Sequence, residues 1–180
     1  MAATENNSTD LWQFYRFCPE CAGPLTVTQS DDGPRLVCSN RHVFYQNPHT
    51  AAAAVIIRDH KVLMIRRRQN PFKDLWDFPG GFVNWGEDPK TAIIREAREE
   101  LGITFIPDKV FGAYHDWYPY AGLITSVNAV YYIGTMTGEL RPNPEVTDPT
   151  WFPLTALPTD LSFDSVKAVA QELSLSKKYG

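Results

Sequence analysis

At 180 residues, with 43% hydrophobic and 21% charged side chains, the chain has room for one ordinary domain with a real core plus a small appendage. That balance excludes a disordered chain, and the longest apolar run, Ala51 to Ile57, is far too short to cross a bilayer. A net charge of −4 gives no bulk attraction to nucleic acid or to an anionic membrane, so a polyanionic ligand must be held by local arginines and metal.

The chain divides into a polar tail over residues 1–16, a cysteine-bearing segment over 17–46 and a main domain over 47–180. The tail opens MAATENNSTD, without the basic start and apolar centre of a signal peptide. Three cysteines, an odd number, argue against a disulfide framework, and a cytoplasmic protein with reduced thiols is expected. Cys18-Pro19-Glu20-Cys21 is a CxxC knuckle, and Cys38-Ser39-Asn40-Arg41-His42 adds a third thiol and an imidazole. Two knuckles around a short hairpin read as a zinc ribbon. Arg41 stands where a four-cysteine site has its last thiol, so Cys18, Cys21, Cys38 and His42 are the expected Cys3His ligands. Four protein ligands close the coordination sphere, which makes this Zn2+ structural. The alternative is a degenerate ribbon with free thiols. Phe17–Tyr45 carries no basic surplus, which argues against a nucleic-acid partner.

The Asn47-Pro48-His49 step is the joint, because a proline disfavours regular structure through the residue before it. Beyond it, Ala51–Arg58 and Lys61–Arg68 read as strands joined by a tight Asp59-His60 turn. Asp77–Asn84 reads as strand, turn and strand around Pro79-Gly80-Gly81. A helix is predicted from Pro89 to Leu101, with Asp88 as N-cap, Pro89 in the first helical position and Gly102 as the stop. Val110–Trp117, Ser126–Tyr132 and Trp151–Pro153 are further strands, with proline-rich loops between them. Ser165–Leu173 closes as a second helix, with Val166, Val169, Ala170 and Leu173 as its apolar face. Strands, a helix, more strands and a helix predict an α/β fold, a mixed sheet with helices on its faces.

Chemistry concentrates in residues 81–103, which read Gly81, Glu87, Arg95, Glu96, Glu99, Glu100, Gly102 and Ile103 at fixed spacings. Glu96, Glu99 and Glu100 fall within an arc of roughly 100° on the helix, beside the buried stripe of Ile93, Ala97 and Leu101. The hexapeptide REAREE alone is simply a good helix former. With the glycines and Glu87 added, the crowding points to a divalent cation among the acids. The full pattern matches the Nudix box, and the chain resembles the Nudix (MutT-like) hydrolases from about Ala51 onward. Trp76-Asp77-Phe78-Pro79-Gly80 is similar to that family's lead-in.

The resemblance implies an α/β/α sandwich that hydrolyses a nucleoside diphosphate linked to another moiety, using Mg2+ or Mn2+. It implies Glu96, Glu99 and Glu100 as metal ligands, or one of them, with Glu96 the candidate, as general base instead; the Gly80 carbonyl is a further ligand, and Glu145 a further ligand or base. Arg95 is expected to orient the acids by ion pairing, through Glu87. Arg66 and Arg68, on one face of their strand by alternation, and Gly81 are the substrate-binding candidates. Trp76, Phe78, Tyr114, Tyr118 and Tyr120 are candidates for stacking on a base.

Tyr118-Pro119-Tyr120 offers both the proline that accompanies ADP-ribose hydrolysis in the family and the tyrosine that accompanies dinucleoside polyphosphate hydrolysis. ADP-ribose-like substrates are therefore favoured. The ribbon resembles the one preceding the Nudix domain in NAD(H) pyrophosphatases, but residues 104 to 135 lack the S-Q-P-W-P-F-P-x-S signature of that group. NAD(H), an oxidised nucleoside triphosphate, and a non-catalytic nucleotide sensor remain the alternatives. The expected partner is a nucleotide-derived small molecule, with no membrane; a homodimer is left open.

Overall fold

The computed structural model describes residues 15–31, 33–120 and 123–176. Most of the polar tail lies outside them. Among the described residues no helix is long and apolar enough to cross a membrane. The chain divides between Asn47 and Pro48 into two compact units.

The first unit is a three-stranded antiparallel sheet of β1 (Leu25–Ser30), β2 (Gly33–Cys38) and β3 (Val43–Phe44), in that order. A backbone reversal stands at each of its ends. In one, Cys18 N–H donates to the Gly23 carbonyl and Ala22 N–H to that of Cys18; in the other, Cys38 N–H donates to His42 and Arg41 N–H to Cys38. Ala22 and Arg41 take left-handed backbone at φ 57° and 64°, which turns each reversal tightly enough to aim its thiols inward.

The second unit is a seven-stranded mixed sheet between two helices. Its strands are β4 (His49–Arg58), β5 (Lys61–Arg67), β6 (Trp76–Asp77), β7 (Gly80–Phe82), β8 (Thr104–Tyr120), β9 (Leu123–Thr137) and β10 (Val146–Pro153). The main path runs β10-β5-β4-β9-β8. The β4–β9 pair is parallel, and the other pairs are antiparallel.

Strand β4 shows how the layers form. Its run Ala52–Ile56 is buried on both faces, as expected for a central strand covered on both sides. Ala53 and Val55 join one cluster with Val166, Val169 and Leu173 of α2 (Asp164–Leu175). Ala52, Ala54 and Ile56 join the other with Ile93, Ala97 and Leu101 of α1 (Pro89–Leu101).

Both ends of α1 follow the predicted local chemistry. Asp88 Oδ1 accepts from the N–H groups of Lys90 and Thr91 at 2.9 and 3.1 Å, and Gly102, at φ 68°, donates back to Arg98.

The expected proline-rich loop after residue 117 is instead strand. β8 runs through Pro107 and Pro119, and Tyr118-Pro119-Tyr120 pairs with β9. β8 is an edge strand, where a missing N–H costs no ladder bond if it points outward.

One departure from a regular sheet makes the site. β4 and β5 pair only near their shared turn, at Ile57–Val62 and Arg58–Lys61. Farther on they separate, and β7 pairs with Ala51–Ala53 while β6 pairs with Ile65 and Arg66. The gap between the diverging strands opens as a cleft. Leu101 is fully buried beneath α1. Leu101→Ala should cost about 2–5 kcal/mol of unfolding free energy by denaturant titration, because the cavity lies between helix and sheet; a loss under about 1 kcal/mol would mean α1 is not anchored there.

Candidate active site

The glycine turn and the acidic face of α1 meet at the mouth of this cleft. Gly80 N–H donates to Glu100 Oε2 at 2.9 Å. A Cβ on Gly80 would run into the backbone of Ala52, and one on Gly81 would sit 2.5 Å from Glu96 Oε1. Only glycine lets the turn lie this close to both β4 and the carboxylates.

Arg95 holds the acids in place. Its Nε and Nη2 make a two-pronged pair with Glu87, both at 3.0 Å, while Nη1 reaches Glu96 Oε1 at 2.8 Å and Glu99 Oε2 at 3.0 Å. Nη2 also donates to the Phe82 carbonyl at 3.1 Å, and Glu87 accepts from Asn84 N–H. A planar guanidinium thus ties three carboxylates to the turn.

Glu145 approaches from the loop before β10. Arg141 and Asn143 N–H groups donate to the carbonyls of Leu101 and Glu100 at the end of α1, and Asn143 Oδ1 accepts from Glu145 N–H. Those contacts bring Glu145 to the cleft wall with Glu96 and Glu100.

Charge at this end is unbalanced. Burial, above all, pushes the Glu100 carboxyl up to about 8, against the Gly80 hydrogen bond and reinforced by Glu96, Asp77 and Glu145. Burial raises Glu96 as well, opposed by Arg95. Glu87 moves down, chiefly through its hydrogen bonds to Arg95. Oxygen donors pressed toward protonation by burial and by one another suit a hard divalent cation, which would cancel the repulsion.

The cleft encloses about 310 Å³, enough for part of a nucleotide. Beyond the acids its walls include Arg67 and Arg68, then Phe82, Tyr118 and Phe163, with Asp116, Tyr131 and Ser165 also lining it. Arg66 is not brought to it. That guanidinium lies 4.3 Å over the Trp76 ring and donates to the Asp74 carbonyl and to Asp160. Arg68 does reach the cleft: β5 ends at Arg67, so the next residue is no longer bound by strand alternation.

Arg67, not anticipated as a site residue, also lines the cleft. It pairs with the buried Asp77 at 3.0 Å and covers the Phe163 ring. Among the aromatic candidates, Phe78 and Tyr118 line the cleft; Trp76 packs in the core and Tyr114 bonds Glu172. Phe82, Phe163 and Asp116 were legible only as strand or loop residues. Asp116 carried one signal, its place two residues from both Tyr114 and Tyr118 on a strand.

In the first unit the four expected zinc ligands converge. Their donor atoms all lie within 4.8 Å of one another, with Cys21 and Cys38 sulfurs 3.7 Å apart and Cys18 Sγ 3.5 Å from His42 Nδ1. A tetrahedron with metal–sulfur bonds of about 2.3 Å and metal–nitrogen bonds of about 2.0–2.1 Å has edges of about 3.8 Å and about 3.6 Å. The cluster is therefore compatible with a zinc site, and its cysteines form no disulfide.

A mixed sheet between two helices, with an arginine-tied acid cluster facing a glycine turn, defines a hydrolase of the α/β/α class. The NUDIX domain profile matches residues 47–171. The ADP-ribose pyrophosphatase of Methanocaldococcus jannaschii is 34% identical over 131 residues, covering 72% of this chain and 75% of that protein. The NAD-capped RNA hydrolase NudC of Pseudomonas aeruginosa is 27% identical over 168 residues, 92% of this chain but 57% of NudC, so the chain spans little more than half of that relative. Among solved structures, a NUDIX hydrolase from Nitrosomonas europaea superposes with a TM-score of 0.73 at 20% identity, covering 92% of this chain and 93% of that one, a likeness of fold. A MutT NUDIX hydrolase from Burkholderia pseudomallei gives 0.63 at 28% identity, over 72% of this chain and 99% of that one. The chain belongs to the NUDIX family and is a Nudix pyrophosphohydrolase; hydrolases of this family generally use a divalent metal such as Mg2+.

The Glu100 shift has a stability consequence. Its folded value, about 8, lies above the ordinary 4.5, so between these the folded protein holds a proton that the unfolded chain has released. The stability this contributes is complete below the lower value and lost as pH rises through the upper one. Metal-free protein should melt progressively lower from about pH 5 to about pH 8. Glu100→Gln, which cannot ionise, should weaken that slope, and added Mg2+ should raise the wild-type midpoint most at the alkaline end. An unchanged slope in the variant would show that Glu100 does not carry it.

Proposed function

We propose that this chain hydrolyses the pyrophosphate bond of a nucleoside diphosphate linked to another moiety, with ADP-ribose-like substrates favoured. The observation that carries the reading is that one cleft is lined by acids (Glu96, Glu100, Glu145), by Arg67 and Arg68 and by the aromatic rings of Phe82, Tyr118 and Phe163. A metal-bound diphosphate and its base need those three kinds of surface together. The archaeal relative named an ADP-ribose pyrophosphatase supports the same substrate class.

Glu96, Glu99 and Glu100 would hold Mg2+ or Mn2+, with the Gly80 carbonyl and Glu145 as further oxygen donors. Bound there, the ion would neutralise phosphate charge and make a water more acidic. The chain's own residues do the rest. Arg95 fixes the carboxylates through Glu87, so they need no rearrangement when substrate arrives. Gly81, lacking a side chain, lets the Glu96 carboxylate lie against the turn at the edge of the cleft. Arg68, with Arg67 behind it, presents positive charge along the diphosphate. If the ion is held by Glu99 and Glu100 without it, Glu96 is instead the general base that accepts the proton of the attacking water, a role its raised affinity for protons suits. Positioning and charge neutralisation supply most of the rate.

The Cys18, Cys21, Cys38 and His42 cluster is assigned to one structural Zn2+, and the free thiols fit a cytoplasmic setting. About one equivalent of zinc should copurify and be lost in Cys38→Ser; zinc retained by that variant would refute the assignment.

Hydrolysis of ADP-ribose, NADH and nucleoside triphosphates, with and without Mg2+, tests the activity, and 18O-labelled water identifies the phosphorus attacked. Glu99→Gln and Glu100→Gln should each lower turnover by orders of magnitude, on the order of 100-fold or more, with the circular dichroism spectrum unchanged. Full activity in either variant removes that residue from the site. Nucleotide binding without product release would favour a sensor instead.

A further inference from the structure

Two acids of the cleft take no part in the hydrolytic chemistry, Asp77, which is paired with Arg67, and Asp116, which is not. Asp116 on β8 is only 7% exposed and lines the cleft. Its neighbours along the strand, Tyr114 and Tyr118, share its face, and all three meet α2 or the residue leading into it: Tyr114 bonds Glu172, Asp116 bonds Ser165, and Tyr118 stacks on Phe163. Asp116 Oδ1 accepts from the Ser165 N–H at 3.0 Å, and the Ser165 hydroxyl is itself bonded to Tyr131 OH at 2.7 Å. These contacts fix the carboxylate while engaging one of its oxygens. Oδ2 is left for a ligand.

Next to it stands a flat apolar wall. The Tyr118 and Phe163 rings stack at 5.7 Å and 15°, and Phe82 meets Tyr118 edge-on at 5.2 Å. An aromatic wall beside a fixed carboxylate oxygen that opens to the cleft complements a planar heterocycle with an exocyclic amino group on its edge. The discrimination works in both directions. An amino group gives the carboxylate oxygen a hydrogen bond, whereas a keto oxygen in its place would set lone pairs against it.

We infer that Asp116 selects the nucleobase, accepting a hydrogen bond from the exocyclic amino group of a base packed beside Tyr118, whose ring Phe163 backs. This rests on the nucleotide-hydrolase reading above and adds the base class to it. Arg67 and Arg68 line the same cleft and present donors, which suit phosphate and not an amino group.

The experiment compares kcat/KM of the full chain with Mg2+ for ADP-ribose, its hypoxanthine counterpart and its 6-unsubstituted purine counterpart. These differ only at the base edge. Wild type should prefer ADP-ribose at least about tenfold over both. Asp116→Asn keeps an oxygen for Ser165 but offers an amide N–H in place of Oδ2, so it should reverse the order and favour hypoxanthine. A purely structural Asp116 would slow all three equally, and that result, or a wild type indifferent to the base edge, overturns the inference while leaving the hydrolase intact. Should Asp116→Asn fail to fold, the wild-type ratio for the unsubstituted purine decides, since that analogue lacks the donor without adding bulk. If no nucleotide is turned over, the hydrolase reading fails separately. Calorimetric binding of AMP against IMP then decides the base preference: tighter AMP supports it and equal affinity overturns it.

Discussion

The site depends on one close approach, the N–H of Gly80 donating to the buried carboxylate of Glu100. The bond seats a turn between β4 and the face of α1, where any side chain at Gly80 would strike the backbone of Ala52. It also leaves Glu100 costly to ionise, because one hydrogen bond does not offset burial beside Glu96, Asp77 and Glu145. Packing therefore creates a shortage of positive charge at a chosen point. The contact that seats the turn against α1 is thus also the one that gathers uncompensated negative charge, while the apolar stripe of Ile93, Ala97 and Leu101 holds the helix to the sheet.

Arg95 answers part of that shortage without removing it. Its guanidinium pairs most fully with Glu87, which moves down in proton affinity, while Glu96 is still moved up. The arginine thus serves as a template: it fixes where the carboxylates stand and leaves them in need of a second cation. Preorganisation of this sort lowers the reorganisation required when charge changes during reaction.

The splay of β4 from β5 connects this centre to the aromatic wall. Had the two strands stayed paired along their length in the register of their turn, Ala51–Ala53 would lie opposite Arg66–Arg68 and no cleft would exist between them. β6 and β7, two short pieces, instead satisfy the freed backbone groups. The opening reaches from the acids near α1 to Asp116 and Ser165 near α2, so residues served by opposite faces of one sheet line a single cavity.

Much of this was legible in the chain because it is local or periodic. The ends of α1 follow from Asp88, Pro89 and Gly102; its buried stripe and acid edge follow from helical spacing; the thiol and imidazole cluster follows from knuckle spacing. These depend on residues a few positions apart, whose geometry the backbone fixes on its own. Arg66, Arg67 and Arg68 mark the limit. Alternation could separate them but not say which side held the cleft, nor that β5 stops at Arg67. The reach of β8 through Pro119 depended on its being an edge strand, and Asp116 and Phe163 meet the cleft from elements some 47 positions apart in the chain, 116 to 163. Pairing between distant strands decides such matters, because register and divergence arise from contacts that no short window of sequence contains.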